Sequence, residues 1–249
     1  MAGNTSSPGA SVASRLLAVV GAFDERHRSL TLSELADRSG LPVATAHRLA
    51  AELVAGSALH RRGDGRYEVG RLLWKAGLLA PVEGRLRQVA EPFLHDVYAA
   101  TLATVHLAIR DGEEVLYLVR TMGRASVPIV STVGSRLPMH CTGVGKVLLA
   151  HAPADVQEAV FASMTRVTPY TVIQPSVLTA QLERVRREAV ATTVEEMSLG
   201  ACSLAVPVVR HSDDTVVAAI AVVVATLKRD RRRLHGALQV AARGIGRSL

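Results

Sequence analysis

Aromatic residues are scarce in this chain of 249: three Phe, four Tyr and one Trp, 3% of the total. So few stacking platforms argue against a binder of single-stranded nucleic acid, which holds bases on aromatic faces. Cysteine is scarcer still. Cys141 and Cys202 allow at most one bridge, which excludes a disulfide-stapled scaffold. With no basic-then-apolar opening, the chain reads as a cytoplasmic protein of a reducing compartment. No C-x-x-C or H-x-x-x-H spacing is present, so neither a metal site nor a cofactor is expected. Long apolar runs are also missing. The longest, 216–225, falls well short of the ~20 residues a membrane helix needs and is β-branched, so it reads as a buried strand and no membrane contact is expected.

What remains is 49% apolar and 20% charged, within the range of folded globular chains and long enough for two small domains or one large one. The formal charge is +7, and lysine supplies only Lys75, Lys146 and Lys228 of the 29 basic side chains. Guanidinium is the better group for bidentate contact with phosphates and guanine edges. Charge does not mark the DNA site by itself, however. Residues 1–75 carry 10 basic and 7 acidic groups, net +3, whereas 228–249 carry 7 and 1, net +6. The terminal segment reads as a solvated amphipathic helix.

Residues 1–10 are polar and aperiodic and read as a disordered tail. A first helix is predicted over 12–23. Thr31 and Glu34 then form a T-x-x-E capping box, opening a second helix that stops at Ser39-Gly40, where glycine suits a left-handed C-terminal position. Pro42 sits where a first helical residue tolerates a missing N–H, and a third helix runs over 42–54. On it Ala46, Leu49, Ala50 and Leu53 share an inward face, so Val43, Ala44, His47 and Arg48 point away. Two short strands, 59–62 and 66–69, flank the turn Gly63-Asp64-Gly65. Helix, helix, turn, helix and hairpin make a winged helix-turn-helix. In that motif the N-terminal turns of the third helix, Pro42, Val43, Ala44, Thr45, His47 and Arg48, enter the major groove of double-stranded DNA. Arg61, Arg62 and Arg66 on the wing would then meet phosphates or an adjacent minor groove. A helical hairpin used only for packing would show the same periodicity.

A helical segment with Trp74 follows over 70–79, and Pro81 and Gly84 interrupt it, which puts a domain boundary near Pro81. Beyond it lie a helix over 85–99, a hairpin of 104–109 and 115–121, and a strand over 127–133. Helices over 144–151, 154–163 and 177–191 come next, then a hairpin of 203–209 and 215–225 and an Arg-rich helix from Asp230. This order argues for an α+β fold of two domains, the second with a mostly antiparallel sheet.

Catalytic signatures fail one by one. His140 and Cys141 are adjacent, and adjacent side chains point apart, so they do not make a nucleophile and its base. Gly143-Val144-Gly145-Lys146 lacks the upstream Gly and the following Ser or Thr of a phosphate loop. Its Thr142 and two glycines open a helix whose free amides suit a small anion, or they simply allow close packing. Glu195-Glu196 read as a solvated turn. No catalytic residue is expected, although a cytoplasmic enzyme acting on a small carboxylic acid through 85–249 is the alternative from another class.

Taken together, the motifs resemble the IclR family of bacterial transcriptional regulators from about Ser11 to Thr226. The likeness rests on Leu30-Thr31-Leu32-Ser33-Glu34-Leu35-Ala36, Gly40-Leu41-Pro42, Thr45-Ala46-His47-Arg48-Leu49 and Tyr67-Glu68-Val69-Gly70. Further on it rests on Leu137-Pro138-Met139-His140, Gly143 through Ala150, Glu195-Glu196, Gly200 and Ala205-Val206-Pro207-Val208. The resemblance implies a winged-helix DNA-binding domain over 11–70, a linker helix over 71–84, and a GAF-like effector-binding and oligomerisation domain over 85–249. It also implies homodimers or homotetramers on operator DNA, more often repressing than activating. Carried over by position, it implies a small-molecule pocket lined by Leu137, Met139, Thr142, Gly143, Val144, Thr193, Ala201, Ser203, Ala221 and Val223. Thr193 falls where some relatives have an aspartate, and Ala221 and Val223 replace serines. The expected effector is therefore a larger or more apolar organic acid, such as an aromatic carboxylate or lactone.

Overall fold

A computed structural model of the chain describes residues 11–24, 27–79, 84–123, 127, 129–228 and 230–249. The expected tail and the boundary at Pro81 lie outside these residues. The chain divides between residues 82 and 83 into two compact units.

The N-terminal unit holds α1 (Val12–Gly21), β1 (Ser29–Leu30), α2 (Leu32–Ser39), α3 (Val43–Ala55), β2 (Leu59–Arg61), β3 (Tyr67–Val69) and α4 (Arg71–Leu78). Local chemistry sets the helix ends. The Thr31 N–H donates to Glu34 Oε2 at 2.7 Å while the Glu34 N–H donates to Thr31 Oγ1 at 3.3 Å. Gly40 ends α2 at φ +64°, a region that side-chain-bearing residues avoid. Pro42 is the N-cap of α3 rather than its first helical residue. Val19, Leu30, Leu35, Leu49, Ala50, Leu59 and Tyr67 form the core. β1, absent from the sequence reading because two residues are too short to show a period, pairs with β3 and makes the hairpin a three-stranded sheet.

The C-terminal unit contains α5 (Gly84–Thr101), β4 (Thr104–Asp111), β5 (Glu114–Thr121), β6 (Arg136–Pro138), α6 (Gly143–Ala150), α7 (Ala154–Ser163), α8 (Pro175–Glu188), β7 (Ala191–Val194), β8 (Cys202–Arg210), β9 (Thr215–Val224) and α9 (Arg231–Ser248). Its sheet runs β6-β5-β4-β9-β8-β7 with antiparallel neighbours throughout, as the α+β reading requires. Strand alternation divides the side chains by size. Val105, Leu107, Leu204, Val206, Ile220 and Val222 face one core, packed by α5 and α9. Ala108, Ala205, Ala219 and Ala221 face the other, beneath α6 and α8. Four alanines where the opposite face carries branched residues leave room on that side for a helix in close contact and for a cavity.

Two expectations are corrected. No strand forms over the described part of 127–133, and the strand that pairs with β5 is β6 at Arg136–Pro138. The predicted helix over 177–191 stops at Glu188, because Ala189 turns left-handed at φ +51°, and the chain re-enters the sheet as β7. Among the described residues no helix is long and apolar enough to cross a membrane.

Candidate functional site

Two surfaces combine the residues singled out above. On the N-terminal unit, α3 buries Ala46, Leu49 and Ala50 completely. Pro42, Val43, Ala44, His47 and Arg48 are exposed and Thr45 is half-buried. This outward face is short-chained at its start, so the helix N-terminus can approach another surface closely. Its basic groups are held by neighbours. Arg48 Nη1 lies 2.7 Å from Glu52 Oε1, Arg62 pairs with Glu68 at 2.9 Å and Asp64 at 3.3 Å, and Arg61 sits 5.7 Å over the Tyr67 ring. Exposed pairs of this kind contribute at most about 1 kcal/mol, so a phosphate replaces the carboxylate at small cost. Arg66 is tied in more firmly. It donates to the Ser29 carbonyl at 2.9 Å and pairs with Glu34 at 2.9 Å, which joins the wing to the capping box of α2. No sequence signal marked that link.

In the C-terminal unit a cavity of about 460 Å³, mouth included, opens on the alanine face of the sheet. Nine of the ten expected residues line it: Leu137, Thr142, Gly143, Val144, Thr193, Ala201, Ser203, Ala221 and Val223. Met139 is the correction. It is fully buried with Leu149 and Leu178 in the core and forms no part of the lining, because alternation on β6 and the turn after it sends it inward. Sequence reasoning missed His106, Tyr117, Ile129, Val130, Ser131, Met197 and Ser198.

The chemistry of the lining is uniform in one respect: no formal charge. Thr142 caps α6, accepting from the Gly145 N–H at 3.2 Å and donating to the Pro138 carbonyl at 3.0 Å. The amides of Gly143 and Val144 find no acceptor among the described residues, and the helix dipole places partial positive charge there. A Cβ on Gly143 would run into Ser203 Oγ, which would have to turn away and give up its bond to Thr193. Thr193 and Ser203 share a hydrogen bond at 2.7 Å. Burial drives His106 down to about 3 and the Tyr117 phenol upward, leaving both neutral. Apolar walls, two free amides and several hydroxyls suit a flat apolar molecule with one carboxylate.

Behind the lining lies the feature the sequence reading misjudged. Glu196 is 6% exposed, not solvated, and its Oε1 lies 2.6 Å from Nζ of Lys146, which is 1% exposed. Burial pulls the Lys146 ammonium down and Glu196 opposes that pull. The loop carrying Glu196 is pinned further by the Thr168 hydroxyl on the Glu195 carbonyl at 2.7 Å and the Thr171 hydroxyl on the Glu196 carbonyl at 2.8 Å. Met197 and Ser198, next along this loop, form one wall of the cavity. Cys141 is fully buried, and burial beside Glu196 pushes its thiol up to about 12, so it is no nucleophile. His140 instead meets the Thr165 carbonyl at 2.9 Å through Nε2. Among the described residues no three His, Cys, Asp or Glu side chains converge as metal ligands would.

Comparison with known proteins identifies the family of both domains. The model of the IclR helix-turn-helix domain matches residues 12–63, and that of the bacterial transcriptional regulator IclR C-terminal domain matches residues 82–247. The crystal structure of an IclR homolog complexed with 4-hydroxybenzoate, from Microbacterium hydrocarbonoxydans, superposes with a TM-score of 0.89. It is 32% identical and the match covers 96% of this chain and 99% of that one. The HTH-type transcriptional regulator XynR of Escherichia coli (strain K12) is 29% identical over 241 residues, 94% of this chain and 95% of the relative. The HTH-type transcriptional repressor AllR of Salmonella typhi is 28% identical over 221 residues, covering 88% and 81%.

Proposed function

Because this chain belongs to the IclR family of bacterial transcriptional regulators, we propose that its two surfaces are a DNA reader and an effector site coupled to each other. The protein is a ligand-responsive, DNA-binding transcriptional regulator and not an enzyme. Residues 11–70 bind double-stranded operator DNA, 71–84 link, and 85–249 bind effector and assemble the homodimer or homotetramer. Pro42 to Thr45, His47 and Arg48 enter the major groove, while Arg61, Arg62 and Arg66 meet the backbone beside it. Repression is the direction favoured by the repressor relative.

The observation that carries the effector reading is the charge-free cavity with two unpaired amides at one end. A lone carboxylate fits there at the helix start that Thr142 caps, held by the Gly143 and Val144 amides and by Ser203, with Leu137, Ala201, Ala221 and Val223 against its apolar body. Thr193 orients the Ser203 hydroxyl. The structural neighbour bound to 4-hydroxybenzoate supports an aromatic carboxylate. An effector that favours one arrangement of the assembly by about 1–3 kcal/mol changes operator affinity by roughly 5- to 150-fold. The segment around Trp74, which is 62% exposed on α4, is the element expected to report that change.

Selection from a random duplex pool at about 150 mM salt tests the DNA half, since phosphate attraction alone is weak there. The expected result is an enriched palindrome with half-sites about 34 Å apart or a multiple of that. Calorimetry tests the effector half. Binding of aromatic acids supports it, and binding only of small keto acids such as glyoxylate overturns it.

A further inference from the structure

Much of the cavity wall is set by strands and by α6, but Met197 and Ser198 reach it from the loop between β7 and β8. Backbone bonds close this loop on itself. The Glu195 N–H donates to the Ala201 carbonyl at 2.9 Å, the Ala201 N–H to the Ser198 carbonyl at 3.2 Å, and the Gly200 N–H to Glu195 Oε1 at 2.5 Å. The Thr168 and Thr171 hydroxyls on its carbonyls and the buried Lys146–Glu196 pair add three more ties at Glu195 and Glu196. The main chain on either side of Met197 is therefore fixed.

The Met197 side chain is held differently. It is half-buried, and its Sδ lies 3.5 Å from Sγ of Cys141, which is fully buried and outside the cavity lining. Met197 thus spans from the cavity to a buried thiol. Among the described lining residues it is the one long unbranched side chain; the other apolar ones are branched, aromatic or no larger than alanine. Three rotatable bonds and a polarisable sulfur let methionine fill spaces of different shape at low cost. Cys141 occupies the space behind the thioether, so removing its sulfur gives Met197 room to withdraw from the cavity.

We propose that Met197 sets the range of effector sizes the cavity accepts, as an adjustable wall on a fixed loop, and that Cys141 is the positioning residue behind it. This rests on the aromatic-acid reading above and adds the side chain that selects by bulk. It also gives the buried thiol a use that needs no nucleophilic chemistry.

Calorimetry on the full chain with benzoate and 2-naphthoate as probes tests this, and the quantity read is the ratio of their affinities. In Met197→Ala the ratio should move toward 2-naphthoate by at least about 10-fold, the lower end for a methylene-sized change in an apolar pocket. Met197→Ile, similar in volume but stiff at its branched carbon, should bind benzoate as the wild type does and move the ratio toward benzoate. Cys141→Ala should move it toward 2-naphthoate, by less than Met197→Ala. Val160→Ala, in the same core but outside the lining, gives the response to lost packing alone and should leave the ratio in place. An unchanged ratio in Met197→Ala overturns the proposal while leaving the aromatic-acid reading intact. Wild-type selectivity in Met197→Ile also overturns it, because the wall then needs only bulk. A shift in Cys141→Ala no larger than in Val160→Ala overturns the positioning role. Failure of both probes to bind the wild type overturns the proposal together with the aromatic-acid reading.

Discussion

Arg48 and Glu52 meet at 2.7 Å on the outer face of α3, with side chains 57% and 53% exposed, and Lys146 and Glu196 meet at 2.6 Å in the C-terminal unit, 1% and 8% exposed. The geometries are nearly identical and the energetics are not. Water screens the first pair, so breaking it costs little and Arg48 is free to exchange its carboxylate for a phosphate. The second pair has no water to fall back on, and either partner left alone is a buried charge. The contrast extends to the regions around them. The α3 face offers charges that are cheap to redirect, which suits reading a polyanion, whereas the cavity offers neutral groups in fixed positions, which suits discriminating among small molecules.

The comparison breaks first at Glu196. Glu196→Ala leaves Lys146 buried and unpaired and should cost about 3–5 kcal/mol in urea unfolding. Because Met197 and Ser198 follow on the same loop, effector affinity should fall as well. A loss under about 1 kcal/mol would mean that this pair behaves like the one on α3.

The next test is pH. The His106 pKa drops from an ordinary 6.5 to about 3 in the folded chain. Between those values the unfolded state binds the extra proton, so this residue's contribution is fully present above about pH 6.5 and is lost as pH falls toward 3. The slope approaches 1.4 kcal/mol per pH unit. Subtracting the stability profile of His106→Phe from that of the wild type isolates it, and parallel profiles would show that the imidazole is solvated.

Gly143→Ala comes third. The new methyl meets Ser203 Oγ, and overpacking of this kind costs about 1–3 kcal/mol. Effector binding should suffer more than stability, since the Ser203 hydroxyl must turn from Thr193 at the cavity itself. The smallest effect on stability belongs to Arg48→Ala, expected within about 1 kcal/mol of wild type. Operator affinity should nevertheless fall, uniformly across sequences and with a shallower salt dependence if Arg48 holds a phosphate, or at one base pair by about 1–3 kcal/mol if it reads a base edge. Unchanged operator binding would remove Arg48 from the reading face.

Most of the N-terminal unit was legible in the sequence because its determinants act over a few residues. The Thr31–Glu34 capping box, the Gly40 stop and the turn at Gly63-Asp64-Gly65 each sit where their local chemistry predicts. The α6 end of the cavity was legible for the same reason: Thr142 and the two glycines are one helix start. The wall formed by His106 was not. His106 looks like any alternate residue of a strand until β9, the Tyr117 ring and the segment bearing Ser131 close round it. The apolar spacing over 127–133 misled in a related way. Ile129 and Val130 are apolar on account of the cavity they cover, not of a strand neighbour.

By itself the sequence determined the helix ends, the inward face of α3, the hairpin turn, the α+β class and the motif that opens α6, all consequences of contacts between near neighbours in the chain. Only the tertiary structure decided that Glu196 is buried on Lys146, that Met139 is core and not cavity, and that His106 is a neutral wall of the pocket. Burial and the pKa it sets depend on which distant segments arrive to exclude water, and in this chain Lys146 and Glu196 are fifty residues apart and His106 and Ser131 twenty-five.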